Sequence, residues 1–551
     1  MASLLPLSGI LGPRLAKHLL RRASYNVSKI RIEEFSNYTV SQAMVKLLDF
    51  PVKNLIQPIH YDTNSPWINP DAIYGAVDNN HGSGQVKLNN YLAGWWMDEA
   101  KRDTSIRSKM TYFLFTDFTT SIRTLSNEFH YDYLMLLEFF CVGDWKELAY
   151  QMTKNNVMLK FLNNDENINT NPNENFAREV LELFTIGKGP QVSIGDYTNY
   201  TESDIEQAAR ALTGWDYTKN NRGDYDSGAA FGSIPCGFAI PSRHDFGKKE
   251  FSNRFNNYVI EAWDTTGKTE EEKIDRVHAE LKEFIAMVLN QAETAKFICR
   301  KLYRAFVSRN ITQEIEDDII VPLASTFRAS YNLEETIIQL FQSQHFYDKD
   351  DSDNTDEIIG GLIKTPLDLT LQSLSITDYP VPDPITDGRN HYLKFYYQGL
   401  GNKVLTASGQ DIFRPPSVAG FPPTYESPDY DKFWFNTSTI IPRYDLANLL
   451  LDKNILKVTF NVAEFVRNNV SDPTNPETLV LELAAIFFPE AIDAARVNYF
   501  ATEILLEGGS ISPTTWANEW NAGSMTPNSG IEEALKPLFR AFIWAQEFQT
   551  N

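Results

Sequence analysis

Cysteine is scarce: Cys141, Cys236 and Cys299 are the only three in 551 residues, and their positions lack the paired spacing of a zinc site or a disulfide framework. Each is expected to act as a small buried hydrophobe. Apolar runs are short as well. Nowhere do roughly eighteen apolar residues follow one another, so no membrane-spanning helix is expected. Met1 to Gly12 is mildly apolar, but it is broken by Pro6 and Gly9 and carries no basic start, so no cleavable signal is read there. The compartment is then cytoplasmic, or one reached by an export route that this sequence does not display. Basic charge is in deficit. Fifty Lys and Arg face 72 Asp and Glu, a net of -22, which repels phosphate backbones and removes nucleic acid from the partners. Such acidity could draw calcium or other cations, although a solvated surface is its ordinary use. A nucleophile elbow, a phosphate-cradling glycine loop and a dinucleotide fingerprint are all missing, which disfavours the hydrolases, kinases and nicotinamide enzymes built on them.

Core material is plentiful. Apolar residues make up 42% of the chain, and 35 Phe, 25 Tyr and 10 Trp separate it from chains that stay disordered. The length exceeds one compact core, so cooperating units are expected. Residues 1–347 read as a helical core, 348–365 as an acidic linker or loop, and 366–551 as a C-terminal helical region packed on the core. The class is mainly α, a multi-helix globular body with long irregular loops and a Pro-rich, partly irregular C-terminal region.

Helix signals recur along the chain. Leu15–Ala23 reads as helical, and Thr39 with Gln42 forms a capping box. Residues 50–90, rich in Asn, Pro, Gly and Asp, read as a long loop, with helices resuming near Tyr91. From Leu92 to Leu162 aromatic-rich helices are too apolar all round for a surface position. Helices follow at Glu174–Ile186, stopped by Gly187, and at Glu202–Thr213, stopped by Gly214 and opened by Thr201 with Asp204. A Gly- and Asn-rich excursion spans Asp216–Gly237. Thr269–Asn290 is amphipathic, Asp348–Glu357 is an exposed acidic loop, and Tyr379–Pro442 is Pro-punctuated, a region where long helices should fail.

Several segments, taken in order, carry a likeness. They are His18-Leu19-Leu20-Arg21-Arg22-Ala23, Trp95-Trp96, Lys109-Met110 and the block from Asn171-Pro172-Asn173-Glu174 through Arg178-Glu179 to Gly187. Tyr200-Thr201-Glu202 through Arg210 to Gly214-Trp215, His244-Asp245, Arg300-Lys301-Leu302-Tyr303 and Phe413-Arg414-Pro415-Pro416-Ser417-Val418-Ala419-Gly420 continue it. In these the sequence resembles a bacterial family known as domain of unknown function 1800. The chain departs from the family at Phe113–Phe118, where a Trp- and His-bearing block is usual, and at Phe421, where Trp is usual. A role for that histidine therefore does not transfer. The resemblance implies positions and no activity.

Two constellations could carry chemistry. On the helix from Glu174, residues four apart share a face, so Glu174, Arg178 and Glu182 form a ladder with Glu179 beside it. The plain reading is an ion-pair network fixing this helix against its neighbour, with Arg210 a possible contributor. The functional reading adds the preceding loop. Oxygen donors at Asn163, Asp165 and Asn167, with Glu174 in twelfth place, mimic calcium-loop spacing, but Ile168 stands where such a loop needs Gly. His244-Asp245 is the best acid-base candidate, set against a histidine simply bonded to backbone in a turn. Were it to meet Glu179 and Glu182, the four could bind a divalent transition metal. His18, Arg21 and Arg22 read as a structural motif that satisfies backbone carbonyls or reaches the Glu174 ladder, and Arg178, Arg210 and Trp215 are grouped with it. Trp95-Trp96 and Phe433-Trp434-Phe435 read as core, or as rings that stack on sugars. The leading expectation is a binding or assembly protein engaging a protein or polysaccharide partner, with an oligomer compatible. Its alternative is a metal-dependent hydrolytic or oxidative enzyme using Glu174, Glu179, Glu182, His244 and Asp245.

Overall fold

The computed structural model describes residues 2–50, 84–217, 224–225, 235–350, 358–452, 456–458, 460–523 and 530–551. The bulk of the expected 50–90 loop and residues 351–357 of the acidic stretch lie outside these, as does most of the Asp216–Gly237 excursion. The architecture is mainly α, as the periodicity predicts. Among the described residues, strands form four small two-stranded antiparallel ribbons.

Helix α1 (Gly12–Ala23) begins three residues before the predicted Leu15, because Pro13 in the first turn supplies a preset φ and needs no donor there. Its polar residues are buried and satisfy carbonyls from distant segments. His18 Nε2 lies 2.8 Å from Phe346 O, Arg21 donates to Phe487 O at 2.5 Å, and Arg22 donates to Ile358 O at 2.6 Å and Asn551 O at 3.1 Å. Of the two destinations open in the sequence, the motif takes the backbone one.

Helix α2 (Gly84–Arg102) starts earlier than the predicted Tyr91 and carries Trp95 and Trp96 into the core, where they meet Tyr131 and Tyr112 at ring separations of 5.9 and 5.6 Å. Those rings are packing and offer no sugar platform. The capping boxes at Thr39 and Thr201 both form. Helix α3 spans Arg107–Asp117. Helix α4 (Glu174–Glu179) runs on as a π-helical stretch, Val180–Thr185, and stops at Gly187, whose φ of +73° suits a residue without Cβ. Helices α5 (Glu202–Ala211), α6 (Glu270–Leu289) and α7 (Ala292–Phe306) follow. All three cysteines are free and buried.

The Pro-punctuated region departs from expectation. Residues Arg389–Thr406 form one long π-helical element packed along α2, which is feasible because no proline falls between Pro384 and Pro415. Helix α8 (Pro366–Ile376) is buried at every residue, the signature of an element enclosed on all sides. One continuous apolar cluster includes residues on both sides of 348–365.

Gly94 lies where α2 crosses the 389–406 element so closely that a Cβ would overlap the Tyr392 carbonyl. Gly94→Ala is expected to destabilise the protein by about 1–3 kcal/mol through overpacking, read as a lowered urea midpoint with unchanged slope.

Candidate functional site

The predicted carboxylate ladder forms only in part. Arg178 keeps Glu174 at 3.3 Å but directs its fork to Glu202 of α5, at 2.9 and 2.6 Å. The hydrogen bonds from Arg178 hold the Glu202 carboxyl below its usual range. Glu182 accepts from Lys188 Nζ at 3.0 Å and Tyr200 OH at 3.1 Å. Burial, reinforced by neighbouring Glu182, lifts the Glu179 carboxyl to about 7. Arg210 does not join this ladder. It bonds Asp245 and Gln207, each at 2.7 Å.

His244 is sealed in the interior. Its Nδ1 faces Thr213 O at 2.8 Å and its Nε2 lies 3.4 Å from Glu280 of α6. Glu280 also pairs with the fully buried Lys249, whose ammonium burial pushes down in pKa against the pull of Glu280. Burial alone would raise the Asp245 carboxyl, but hydrogen bonds from Arg210 and the Gly247 N–H bring it below its usual range. Glu179 and Glu182 thus lie in one group of neighbours and His244 and Asp245 in another. Among the described residues no three His, Cys, Asp or Glu side chains gather as they would around a metal ion. Trp215 is buried, edge-on to His278 at 4.9 Å.

The loop with calcium-like spacing serves to join helices. Asn163 adopts a left-handed φ of +57°. Asn167 donates to Ala209 O at 2.9 Å and to Asn164 Oδ1 at 3.0 Å, and its own oxygen accepts the Asn173 N–H at 2.8 Å. Asp165 is paired to Lys160 at 2.9 Å. These oxygens complete backbone and lysine donors that would otherwise go unpaired.

A cavity lies elsewhere, away from both predicted constellations. With a volume of about 310 Å³, it sits between α3, α7, the start of α8 and the 419–434 segment. Four cationic side chains and three aspartates line it, and three ion pairs form across it. Lys109 of α3 pairs with Asp368 of α8, Lys301 of α7 with Asp117 of α3, and Arg309 with Asp431 at 3.2 Å. Burial lifts the Asp117 carboxyl against the pull of Lys301. It likewise lowers Lys109 against the pull of Asp368. Tyr25 and Tyr112, pushed up by burial, stand beside Lys109, whose ammonium lies 4.4 Å from the Tyr25 ring centre. Phe113, Phe297 and Phe306 supply apolar wall. Lys109, Lys301 and Ala419 come from three separate segments that carried the family likeness, although sequence alone gave them no role. Arg304 and Asp431 were missed. The one signal for Arg304 is its place three residues after Lys301 on the same helical face.

A family model described as "Protein of unknown function (DUF1800)" matches residues 18–541. The chain belongs to that family. No curated protein and no solved structure matches it. In this DUF1800 protein no described helix is long and apolar enough to cross a membrane.

Two outcomes are expected for the buried acids. Folding moves the Glu179 carboxyl from its usual 4.5 to about 7, so the folded state holds that proton more tightly than the unfolded chain. The contribution of Glu179 to stability therefore falls as pH rises through that interval and is level above it. Glu179→Gln should match the parent in melting temperature near the lower limit and exceed it at pH values above the upper one. Lys249→Met leaves Glu280 in the interior without its ammonium, and a loss of roughly 3–5 kcal/mol is expected by chemical denaturation.

Proposed function

We propose that this DUF1800 protein is a helical binding protein whose ligand site is the cavity bounded by Lys109, Asp117, Lys301 and Asp368. The observation that supports the reading is the combination of an enclosed volume of about 310 Å³, aromatic walls and polar groups held in place by their own ion pairs. Cavities of this size and lining are the usual form of small-molecule sites. Because the lysines and aspartates already neutralise one another, the cavity can stay dry enough to favour an organic body over water. The partner expected from sequence, a protein or a polysaccharide, then narrows to a small molecule or the terminal unit of a longer chain. Metal-dependent catalysis through Glu174, Glu179, Glu182, His244 and Asp245 has less support, since those groups are held among separate sets of neighbours.

The reading is tested with the neutral fluorophore N-phenyl-1-naphthylamine. Saturable binding of one dye per chain is expected, weakened roughly tenfold or more by Ala419→Trp, which places an indole in the cavity and removes no hydrogen bond. Absence of saturable binding to the parent, or equal binding by an Ala419→Trp variant with parental melting behaviour, would rule the cavity out.

A further inference from the structure

The charges of the cavity do not all cancel. Lys109, Lys301 and Arg309 each have a carboxylate, and among the described residues Arg304 has none. Its guanidinium lies 4.6 Å from the Tyr430 ring centre, its Nε is buried without a hydrogen-bond partner, and no ion pair reaches it among the described residues. Glu316 exerts an attraction on it, but both oxygens of that carboxylate are already forked by Arg300 at 2.8 and 2.6 Å. A chain with 72 acidic residues against 50 basic ones does not lack acids to pair with an arginine. Withdrawing even part of a guanidinium from water with no counter-charge is costly, and its partial burial correspondingly lowers the Arg304 pKa.

A guanidinium presents a planar fork of donors that fits the paired oxygens of a carboxylate, phosphoryl or sulfonyl group, and its face is already stacked on an aromatic ring. The lining also offers apolar and aromatic side chains, with Phe297, Ala305 and Phe306 on the same helix as Arg304. The three aspartates would repel an anion only if uncovered, and each is held by its own cation.

We infer that the cavity takes a small organic anion, with Arg304 receiving the acidic group and the phenylalanine wall receiving an apolar or aromatic body. This rests on the cavity reading given under Proposed function. Arg304 is in these terms the residue that selects charge, and the walls select shape.

The full-length chain is titrated with two dyes that share one aromatic body, the neutral N-phenyl-1-naphthylamine and the anionic 8-anilinonaphthalene-1-sulfonate. The anionic dye is expected to bind about tenfold more tightly or better, the effect of one charge-assisted hydrogen-bonded contact. Arg304→Met should abolish that preference while leaving the neutral dye bound. Arg304→Lys, which keeps the charge and loses the fork, should retain part of it and serves where the methionine variant does not fold. If the neutral dye binds but the anionic one has no advantage, or keeps its advantage in the variants, the inference is overturned and the cavity reading survives. It is overturned in the same way if Ala419→Trp releases the neutral dye and not the anionic one. If the neutral dye does not bind the parent saturably, the cavity reading falls and takes the inference with it.

Discussion

An ammonium group buried against a single carboxylate is the constraint around which the centre of this molecule is arranged. Asp368 belongs to a helix enclosed along its whole length, and Lys109 reaches it from a helix 259 positions earlier in sequence. Both side chains are almost wholly buried, so each charge leans on the other. Two further pairs, Lys301 with Asp117 and Arg309 with Asp431, join segments 184 and 122 positions apart around the same opening. Removing either partner of such a pair strands a charge in low dielectric, which makes the geometry of the opening stiff even where its walls are merely apolar.

Elsewhere polar side chains bind the backbone of the protein to itself. The asparagine-rich loop before α4 closes onto the C-terminal end of α5 through Asn164 and Asn167. The His244 ring is held between a carbonyl and a buried glutamate. Both features carried functional readings in the sequence because density of oxygen and imidazole is what metal sites and acid-base sites also look like. Their geometry is that of groups satisfying neighbours.

Local signals were legible. The capping residues Thr39 and Thr201, with Gln42 and Asp204 as their partners, mark helix starts. Gly187 and Gly214, both with positive φ, mark the stops. These depend on residues within four positions of one another, which a sequence displays directly. The 389–406 element was lost among prolines that flank it without interrupting it. The cavity was beyond reach for a different reason. Its ion pairs link residues more than a hundred positions apart, and one sequence does not say which lysine meets which aspartate. The family likeness flagged Lys109 and Lys301 as positions. Only the fold reveals that they face a common space.

The order in which the walls are contributed matters for how the molecule comes into being. Tyr25 and Lys109 emerge early in synthesis, Lys301 and Asp368 later, and Trp434 later still. Until the last of these arrives, half-built walls expose aromatic surface and unmatched charge, the condition in which nascent chains are most prone to stray association. Closure of this cavity is therefore a late-maturing property of the molecule, and a nick in the 419–434 segment should open it long before the remaining helices lose their order.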